Sequence, residues 1–124
     1  MADAAAMVSA FIKEFDVPSP DAKRLGSYFT DDAVYHNIPL APISGREAIE
    51  KTLGGMGAAM QSAGWVVKHQ LAAGNVVMNE RVDRFTAGGK KVEVPVVGVF
   101  ELRDGKIAAW RDYFDMAQFQ KQMA

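Results

Sequence analysis

The 124-residue chain contains no cysteine, and this absence removes several kinds of function at once. Without a thiol there is no disulfide framework, no thiolate metal site and no cysteine nucleophile. Histidine is nearly as scarce, because only His36 and His69 carry an imidazole, so a metal centre built from several histidines is not expected. We predict neither a metal site nor a bound cofactor.

An excess of charge of one sign is also missing. The chain has 14 basic and 15 acidic side chains and a formal net charge of −1, which gives no field to attract nucleic acid or anionic lipid. Long apolar runs are absent too, since no segment approaches the roughly 18 consecutive apolar residues that would span a bilayer. The N-terminal segment has acidic residues and helical spacing where a signal peptide would have an apolar run. We therefore expect a cytoplasmic protein with no nucleic-acid or membrane partner.

Length and composition are those of a folded domain. Hydrophobic residues make up 49% of the chain, and a chain of this size buries roughly two thirds of the surface that its unfolded form exposes. No repeat and no long linker divides the sequence, and domains commonly contain about 100–150 residues. We expect one domain over residues 1–124.

The first half of the chain is predicted to be mainly helical. An apolar stripe from Met7 to Phe15 has the spacing of a surface helix. A cap followed by proline predicts a short helix from Ser19 to about Phe29. A capping-box pattern predicts another from Ser44 to about Gln61. Between these two helices, residues 33–38 are predicted to be extended.

The second half changes to a period of two. Valine-rich and aromatic segments at 64–73, 75–86, 90–102 and 106–114 are separated by glycine-containing turns, which predicts an antiparallel meander of four strands. Asp115 is predicted to cap a final helix that ends at Met123. Helices followed by a long antiparallel sheet imply an α+β fold in which a curved sheet wraps over the helices and encloses a hollow for a ligand.

Strand alternation places several charged residues among apolar ones. Asp112 shares a face with Trp110 and Phe114, and burial there would raise its pKa and make it a candidate general base. Arg81 and Asp83 lie on one face of the predicted strand at 75–86 and could form a shared hydrogen-bond network. The alternative for Asp112 is a purely structural contact with the backbone or with an arginine. The alternative for Arg81 and Asp83 is an ion pair on a solvated strand face.

A second polar cluster lies in the extended segment of the first half. Tyr35 and Asn37 point to the same side and could hold a water or a substrate oxygen. Alternatively, the tyrosine anchors a strand end and the asparagine forms part of a turn. His36 has the opposite parity and is interpreted as structural or exposed, and His69 receives no role.

An apolar ligand site is predicted from the same parity argument. For each candidate, packing in the core is the alternative to contact with a ligand, and the two methionines are a helical pair whose thioethers adapt to irregular ligands. The predicted lining residues are Leu25, Met56, Met60, Phe85, Val94, Val96, Trp110, Phe114 and Phe119.

Several short motifs, taken in order, resemble the limonene-1,2-epoxide hydrolase family. They are Tyr35-His-Asn37 followed by Ile-Pro-Leu, Gly45-Arg-Glu-Ala48, Glu80-Arg-Val-Asp83, Gly98-Val-Phe100, Gly105-Lys-Ile107 and Trp110-Arg-Asp-Tyr-Phe-Asp115. The resemblance extends from the first predicted helix to the last. It implies the cystatin-like cone of the ketosteroid-isomerase and NTF2-like superfamily, in which a curved, mixed, mainly antiparallel sheet packs on N-terminal helices around an internal pocket.

The resemblance also implies a division of roles. Asp112 would be the general base for a water held by Tyr35 and Asn37, Asp83 would protonate the epoxide oxygen, and Arg81 would lie between the two carboxylates. The partners implied are water and a small apolar epoxide, cyclic or terpene-like. A homodimer formed through the sheet is also expected.

Other functions on the same fold are left open by the residues alone, because a fold does not determine a function. The alternatives are a ketosteroid-isomerase-like enzyme, a polyketide-cyclase-like enzyme and a non-catalytic binding cone. An isomerase would pair an aspartate base with an oxyanion hole and would have no use for an arginine between two carboxylates. Arg81 together with Asp83 therefore favours hydrolysis.

Overall fold

The N-terminal apolar stripe forms the first helix of the computed structural model, which describes residues 3–124. Helix α1 spans Ala4–Lys13 and is followed by one turn of 3₁₀ helix. The Phe11 ring is fully buried and packs edge-on against Phe29 and Trp110, with ring centroids 5.4 and 5.1 Å away. Such aromatic pairs stabilise beyond the area they bury, so this ring helps to hold α1 on the sheet.

The second helix is shorter than predicted. Helix α2 spans Ala22–Gly26, and its cap is Asp21 and not Ser19, because the Asp21 carboxylate accepts the Lys23 N–H at 3.0 Å. The chain is already extended at Phe29, so the prediction of a helix reaching that residue is wrong.

The third helix begins without the predicted capping box. Helix α3 spans Arg46–Ala59, and its N-cap is Gly45 at a φ of 94°, which gives no side-chain cap. Ser44 lies instead in a short strand that pairs with Val34. The strand pairing therefore overrides the local capping signal, and the helix also ends before Gln61.

Six strands form one mixed sheet in the order β2-β1-β6-β5-β4-β3. Their bounds are β1 Phe29–Asn37, β2 Ile43–Ser44, β3 Gln61–Ala73, β4 Val76–Ala87, β5 Lys90–Arg103 and β6 Lys106–Tyr113. The last four form the predicted antiparallel meander, whereas β1 runs parallel to β6. This parallel pair brings the polar cluster of β1 beside the C-terminal half of β6.

The inner face of β4, β5 and β6 is divided into three zones along the strands. We call them the aromatic core, the polar belt and the cavity end. The aromatic core contains Val77, Phe100 and Trp110, and the polar belt contains Asn79, Arg81, Asp83, Gly98 and Asp112. The cavity end contains Phe85, Val94 and Val96, together with Phe114, which directly follows β6. The polar belt therefore crosses three strands and separates a packed interior from a hollow one.

A β-bulge on β6 changes one predicted face. Simple alternation places Ile107 on the outer face of the sheet, but its side chain is fully buried in the core. Glu101 pairs with Ala109 whereas Leu102 pairs with Ile107, which leaves Ala108 as an extra residue. Since an extra residue reverses the alternation, Ile107 faces the core together with Trp110.

The last helix, α4, spans Met116–Met123 and is capped by Asp115 as predicted. It lies over the start of β5, where the Gln122 amide bonds both backbone groups of Glu93 at 2.8 Å. Within residues 3–124, no helix combines the length and the apolar character that a membrane crossing requires.

Candidate active site

The Arg81 side chain lies at the centre of the polar belt and is completely buried. Its Nε and Nη2 donate to the two oxygens of Asp83 at 2.7 and 3.1 Å. Nη2 also donates to Asp112 Oδ2 at 2.5 Å. One guanidinium thus bridges the two carboxylates singled out in the sequence, and charge-assisted bonds of this kind are the strong ones.

A glycine in the middle of β5 makes room for this bridge. Gly98 lies between Asn79 on β4 and Asp112 on β6 in the strand register. A Cβ added at this position would lie 2.4 Å from Arg81 Nη1 and 2.9 Å from Asp112 Oδ1. Any side chain here would collide with the charged groups, so this strand interior requires glycine.

The parallel pairing of β1 with β6 places Tyr35 and Asn37 beside the bridge. Asn37 is the register partner of Asp112, and Tyr35 is the partner of Trp110. The Tyr35 hydroxyl donates to Asn37 Oδ1 at 3.3 Å. Burial and the charge of Asp112 raise the pKa of Tyr35, so its phenol stays protonated and can donate a hydrogen bond.

Trp110 does not line the cavity, contrary to the prediction. Its ring is fully buried in the aromatic core and stacks on Tyr35 with a centroid distance of 4.1 Å. Its Nε1 donates to Asp112 Oδ1 at 2.6 Å. Trp110 lies on the predicted face but at the core end of the strand, where it orients the carboxylate instead of contacting a ligand.

A cavity of about 310 Å³ opens beside the polar belt, which is within the range of small-molecule sites. Its wall is apolar apart from a few groups that include the Tyr35, Asn37, Asp83 and Asp112 side chains. All the other predicted lining residues border it: Leu25, Met56, Met60, Phe85, Val94, Val96, Phe114 and Phe119. An apolar ligand held here would face both carboxylates.

Several lining residues were missed by the parity argument. Trp65 borders the cavity and lies over the Arg81 guanidinium, with Cζ 4.9 Å from the ring centroid. Its position follows a register shift in β3 that sequence periodicity does not reveal. Phe15 and Leu53 continue helical apolar stripes and could have been found by that signal, whereas Leu40 lies in a loop and gives none.

The two carboxylates are desolvated and share one cation. Burial raises the pKa of Asp83 to about 6 although Arg81 opposes the rise. Burial also raises the pKa of Asp112, against the lowering by Arg81 and Trp110. When both carboxylates are ionised the triad carries a net negative charge, and one added proton makes it neutral. Since uncompensated charge is costly in a buried site, burial favours the state in which the pair shares one proton.

Arg81 itself stays charged. Burial lowers the pKa of its guanidinium, but the charges of Asp112 and Asp83 and their hydrogen bonds more than offset this and keep the pKa above its ordinary value. The belt can therefore offer one carboxylate to accept a proton and another to donate one, with a fixed cation between them.

Neither histidine lies at this site. His36 Nε2 lies 2.9 Å from the Leu40 carbonyl oxygen, and His69 Nδ1 lies 2.9 Å from Glu80 on the outside of the sheet. Across the part of the chain that the structure describes, residues 3–124, no group of three or more His, Asp or Glu side chains is arranged to hold a metal ion.

Comparison with known proteins gives consistent matches. The family model described as the limonene-1,2-epoxide hydrolase catalytic domain matches residues 2–124. Epoxide hydrolase EphG of Mycobacterium tuberculosis (strain ATCC 25618 / H37Rv) is 35% identical over 111 residues, which cover 88% of this chain and 71% of that protein. The solved structure of an LEH-like epoxide hydrolase from M. tuberculosis has a TM-score of 0.83 at 31% identity and covers 96% of this chain and 87% of its own.

A more distant match reflects the fold alone. A protein from Catenulispora acidiphila DSM 44928 with a ketosteroid isomerase-like fold has a TM-score of 0.82 at 22% identity. The match covers 94% of this chain and 90% of that one. The predicted α+β cone is thereby confirmed, including its curved and mainly antiparallel sheet.

Proposed function

Because this chain belongs to the limonene-1,2-epoxide hydrolase family of epoxide hydrolases, we propose that it converts an apolar epoxide into a vicinal diol by direct attack of water. One observation carries the proposal: Arg81 bridges Asp83 and Asp112 at the wall of an apolar cavity. Opening an epoxide needs a base for the water and an acid for the leaving oxygen at the same moment. Two carboxylates that share one proton supply both without a metal ion.

In the proposed step, Asp112 removes a proton from water as the water oxygen bonds to one epoxide carbon. The bond between that carbon and the epoxide oxygen breaks, and the oxygen takes a proton from Asp83. The product is a diol, Asp112 is left protonated and Asp83 is left ionised. The site is reset when Asp112 loses its proton and Asp83 regains one from water or product.

The neighbours of the two carboxylates support this assignment of base and acid. Asn37 is the register partner of Asp112 across β1 and β6, and Tyr35 bonds to Asn37. A hydroxyl and an amide thus flank Asp112 and can hold a water against it. Asp83 lies on β4, on the other side of Arg81, where it can reach the oxygen of a bound epoxide.

The cavity wall favours an apolar substrate that is cyclic or terpene-like. Aliphatic and aromatic side chains form most of the wall, and Met56 and Met60 of α3 and its C-terminal cap lie against it. Flexible thioethers fit irregular ring systems better than a rigid wall does. Burial of the hydrocarbon would supply the binding free energy, while the polar belt orients the epoxide.

We further propose that two copies pair through the outer face of the sheet. Apolar side chains are exposed there on adjacent strands, among them Leu71 (79% exposed), Met78 and Val97. Contiguous exposed apolar surface of this kind is typical of an interface. Light scattering at micromolar concentration should give the mass of a dimer, and a monomer would contradict this part of the proposal.

The test of the function is diol formation from a panel of cyclic, terpene and aryl epoxides in chelator-treated buffer. We expect the wild type to form diol and Asp112→Asn to lose about 10²- to 10⁴-fold in kcat, the usual contribution of a general base. Asp104→Asn removes a carboxylate at an exposed turn and serves as the matched control. Equal turnover by Asp112→Asn, or activity restored only by added metal, would contradict the mechanism.

A further inference from the structure

A row of side-chain amides connects Arg81 to helix α1 on the core side of the polar belt. Arg81 Nη1 donates to Asn79 Oδ1 at 3.0 Å. Asn79 Nδ2 donates to Gln70 Oε1 at 3.1 Å. Gln70 Nε2 in turn donates to the Ala5 carbonyl oxygen at 3.1 Å and to Ser9 Oγ at 2.9 Å. The charged bridge is therefore anchored to a helix that takes no direct part in the cavity.

The direction of this row is fixed by its two ends. A guanidinium can only donate hydrogen bonds, and a backbone carbonyl can only accept them. The amides of Asn79 and Gln70 would lose their partners if either one were reversed, so each has a single satisfied orientation. Asn79 consequently always presents an oxygen to Arg81.

We propose that Asn79 is a positioning residue for epoxide hydrolysis, because its amide oxygen fixes the orientation of the Arg81 guanidinium between Asp83 and Asp112. This inference rests on the proposed function. Asn79 is only 2% exposed and does not border the cavity, so it acts through Arg81 and not on the substrate. It occupies Nη1 and so leaves Nε and Nη2 for the two carboxylates.

Because the guanidinium of Arg81 is planar, its contact with Asn79 affects its contacts with both carboxylates. Its five N–H donors form a rigid fork, so turning one edge moves the others. Without an acceptor at position 79, Nη1 would be a buried donor lacking its partner, which costs more than an ordinary lost hydrogen bond. Turning Nη1 toward Asp112 would satisfy it, but would weaken the paired contact of Nε and Nη2 with Asp83.

The neutrality of the amide also matters. The charged and titratable groups around Arg81 are Asp83 on its own strand, Asp112 from β6 and Tyr35 from β1. One shared proton makes the bridge neutral, and a third carboxylate in contact with Arg81 would disturb this balance. An amide supplies the oxygen that Arg81 needs without adding charge.

The test compares Asn79→Leu, which keeps the shape but removes the oxygen, with Asn79→Asp, which keeps an oxygen and adds charge. For Asn79→Leu we expect kcat to fall about 10- to 100-fold, the effect of one charge-assisted hydrogen bond, with KM nearly unchanged. For both variants the pH profile of kcat/KM should move to higher pH, because the pair is less strongly stabilised in its ionised form.

The control is Val77→Ala, which lies on the same face of β4 in the aromatic core. It should lower Tm while kcat and the pH profile stay at their wild-type values. If Asn79→Leu behaves in the same way, Asn79 is merely structural and the inference is overturned. If Asn79→Leu does not fold, Gln70→Leu is measured in its place. We expect a smaller loss of kcat and a shift of the pH profile in the same direction. If kcat and the pH profile of Gln70→Leu equal those of the wild type, the inference is overturned.

The outcome is separable from that of the proposed function. A wild type that forms diol, an inactive Asp112→Asn and a fully active Asn79→Leu would refute only the role of Asn79. Equal turnover by Asp112→Asn would refute the proposed mechanism, and a folded wild type that forms no diol from any epoxide of the panel would refute the proposed function itself.

Discussion

The aromatic core and the cavity end occupy the same face of the same three strands, yet one is filled and the other is hollow. Alternating inward residues produce both zones, so the strands alone do not account for the difference. At the core end, α1 inserts Phe11 against Phe29 and Trp110. At the other end, side chains of α3 and α4 border the space without filling it. The covering helix therefore decides which part of the sheet becomes a site.

The polar belt lies at the boundary and takes properties from both sides. On the core side, packed residues hold its carboxylates in place, as the Trp110 indole does by donating to Asp112. On the cavity side, Asp83 and Asp112 both border the cavity, so a bound ligand can reach them. Carboxylates that are desolvated and still reachable have the shifted pKa values that acid–base catalysis uses.

The largest effect on stability is expected at the core end. Phe11→Ala should lower the free energy of unfolding by about 3–5 kcal/mol, because it leaves a void in a packed aromatic cluster. Urea denaturation with the wild type as reference measures the loss. A cost below that of a typical surface substitution would show that the core end is no better filled than the cavity end.

A smaller loss of stability is expected when a side chain is added within the polar belt. Gly98→Ala places a methyl group against Arg81 and Asp112, which should lower the free energy of unfolding by about 1–3 kcal/mol. It should also reduce kcat about 10- to 100-fold by displacing the bridge.

Gly55→Ala is the matched control for this substitution. Nothing lies within 4 Å of the added atom in α3, and replacing a helical glycine with alanine stabilises by up to about 1 kcal/mol. If Gly98→Ala also proves neutral in stability and kcat, Gly98 is not needed to make room for the bridge.

The shared proton predicts a pH dependence of activity. Burial raises the pKa of Asp83 to about 6, and the general acid must be protonated to act. Above this pH, kcat/KM should fall about tenfold for each pH unit as the pair loses its proton. A profile that stays flat well into the alkaline range would remove Asp83 from the role of acid.

The same raised pKa predicts the sign of a stability change. A carboxyl whose pKa is higher in the folded state binds more protons when folded, so its contribution to stability is full below the unfolded value of 3.8 and is lost as the pH rises through about 6. Urea denaturation should show the wild type losing stability across that window relative to Asp83→Asn. A difference of the opposite sign would contradict the desolvation of Asp83.

The smallest effect on stability is expected at the cavity end. Met60→Ala should cost less than about 1 kcal/mol, because the space it leaves joins an existing cavity. It should instead raise KM for an apolar epoxide by about tenfold at most, the contribution of a partly buried side chain. A stability loss as large as that of Phe11→Ala would erase the contrast between the two ends.

The sequence was most informative where alternation is regular. On β4, the shared face of Arg81 and Asp83 follows from a period of two, and the structure places both at the site with Asp112. Alternation fails at Ile107, because a bulge adds a residue that no local signal marks. Alternation also does not indicate which end of a strand a helix will cover, and for this reason it wrongly predicts Trp110 in the cavity wall.

Other parts of the site depend on contacts between distant segments. Asn79 and Gly98 are adjacent only through strand register, although a glycine inside a strand does signal a close approach. The residues alone left structural and catalytic interpretations of Asp112 open. The division of roles is implied by the resemblance to a family, and the register of β1 with β6 adds only that Asn37 lies beside Asp112.

The most direct test of catalysis at the polar belt is a single turnover in water labelled with ¹⁸O, with enzyme in excess over epoxide. Direct attack by water predicts that the first diol formed carries ¹⁸O in one new hydroxyl and that the peptides containing Asp83 and Asp112 gain none. Unlabelled diol in the first turnover, together with ¹⁸O in either carboxylate, would mean that the carboxylate attacks the epoxide, and would contradict a base acting on water.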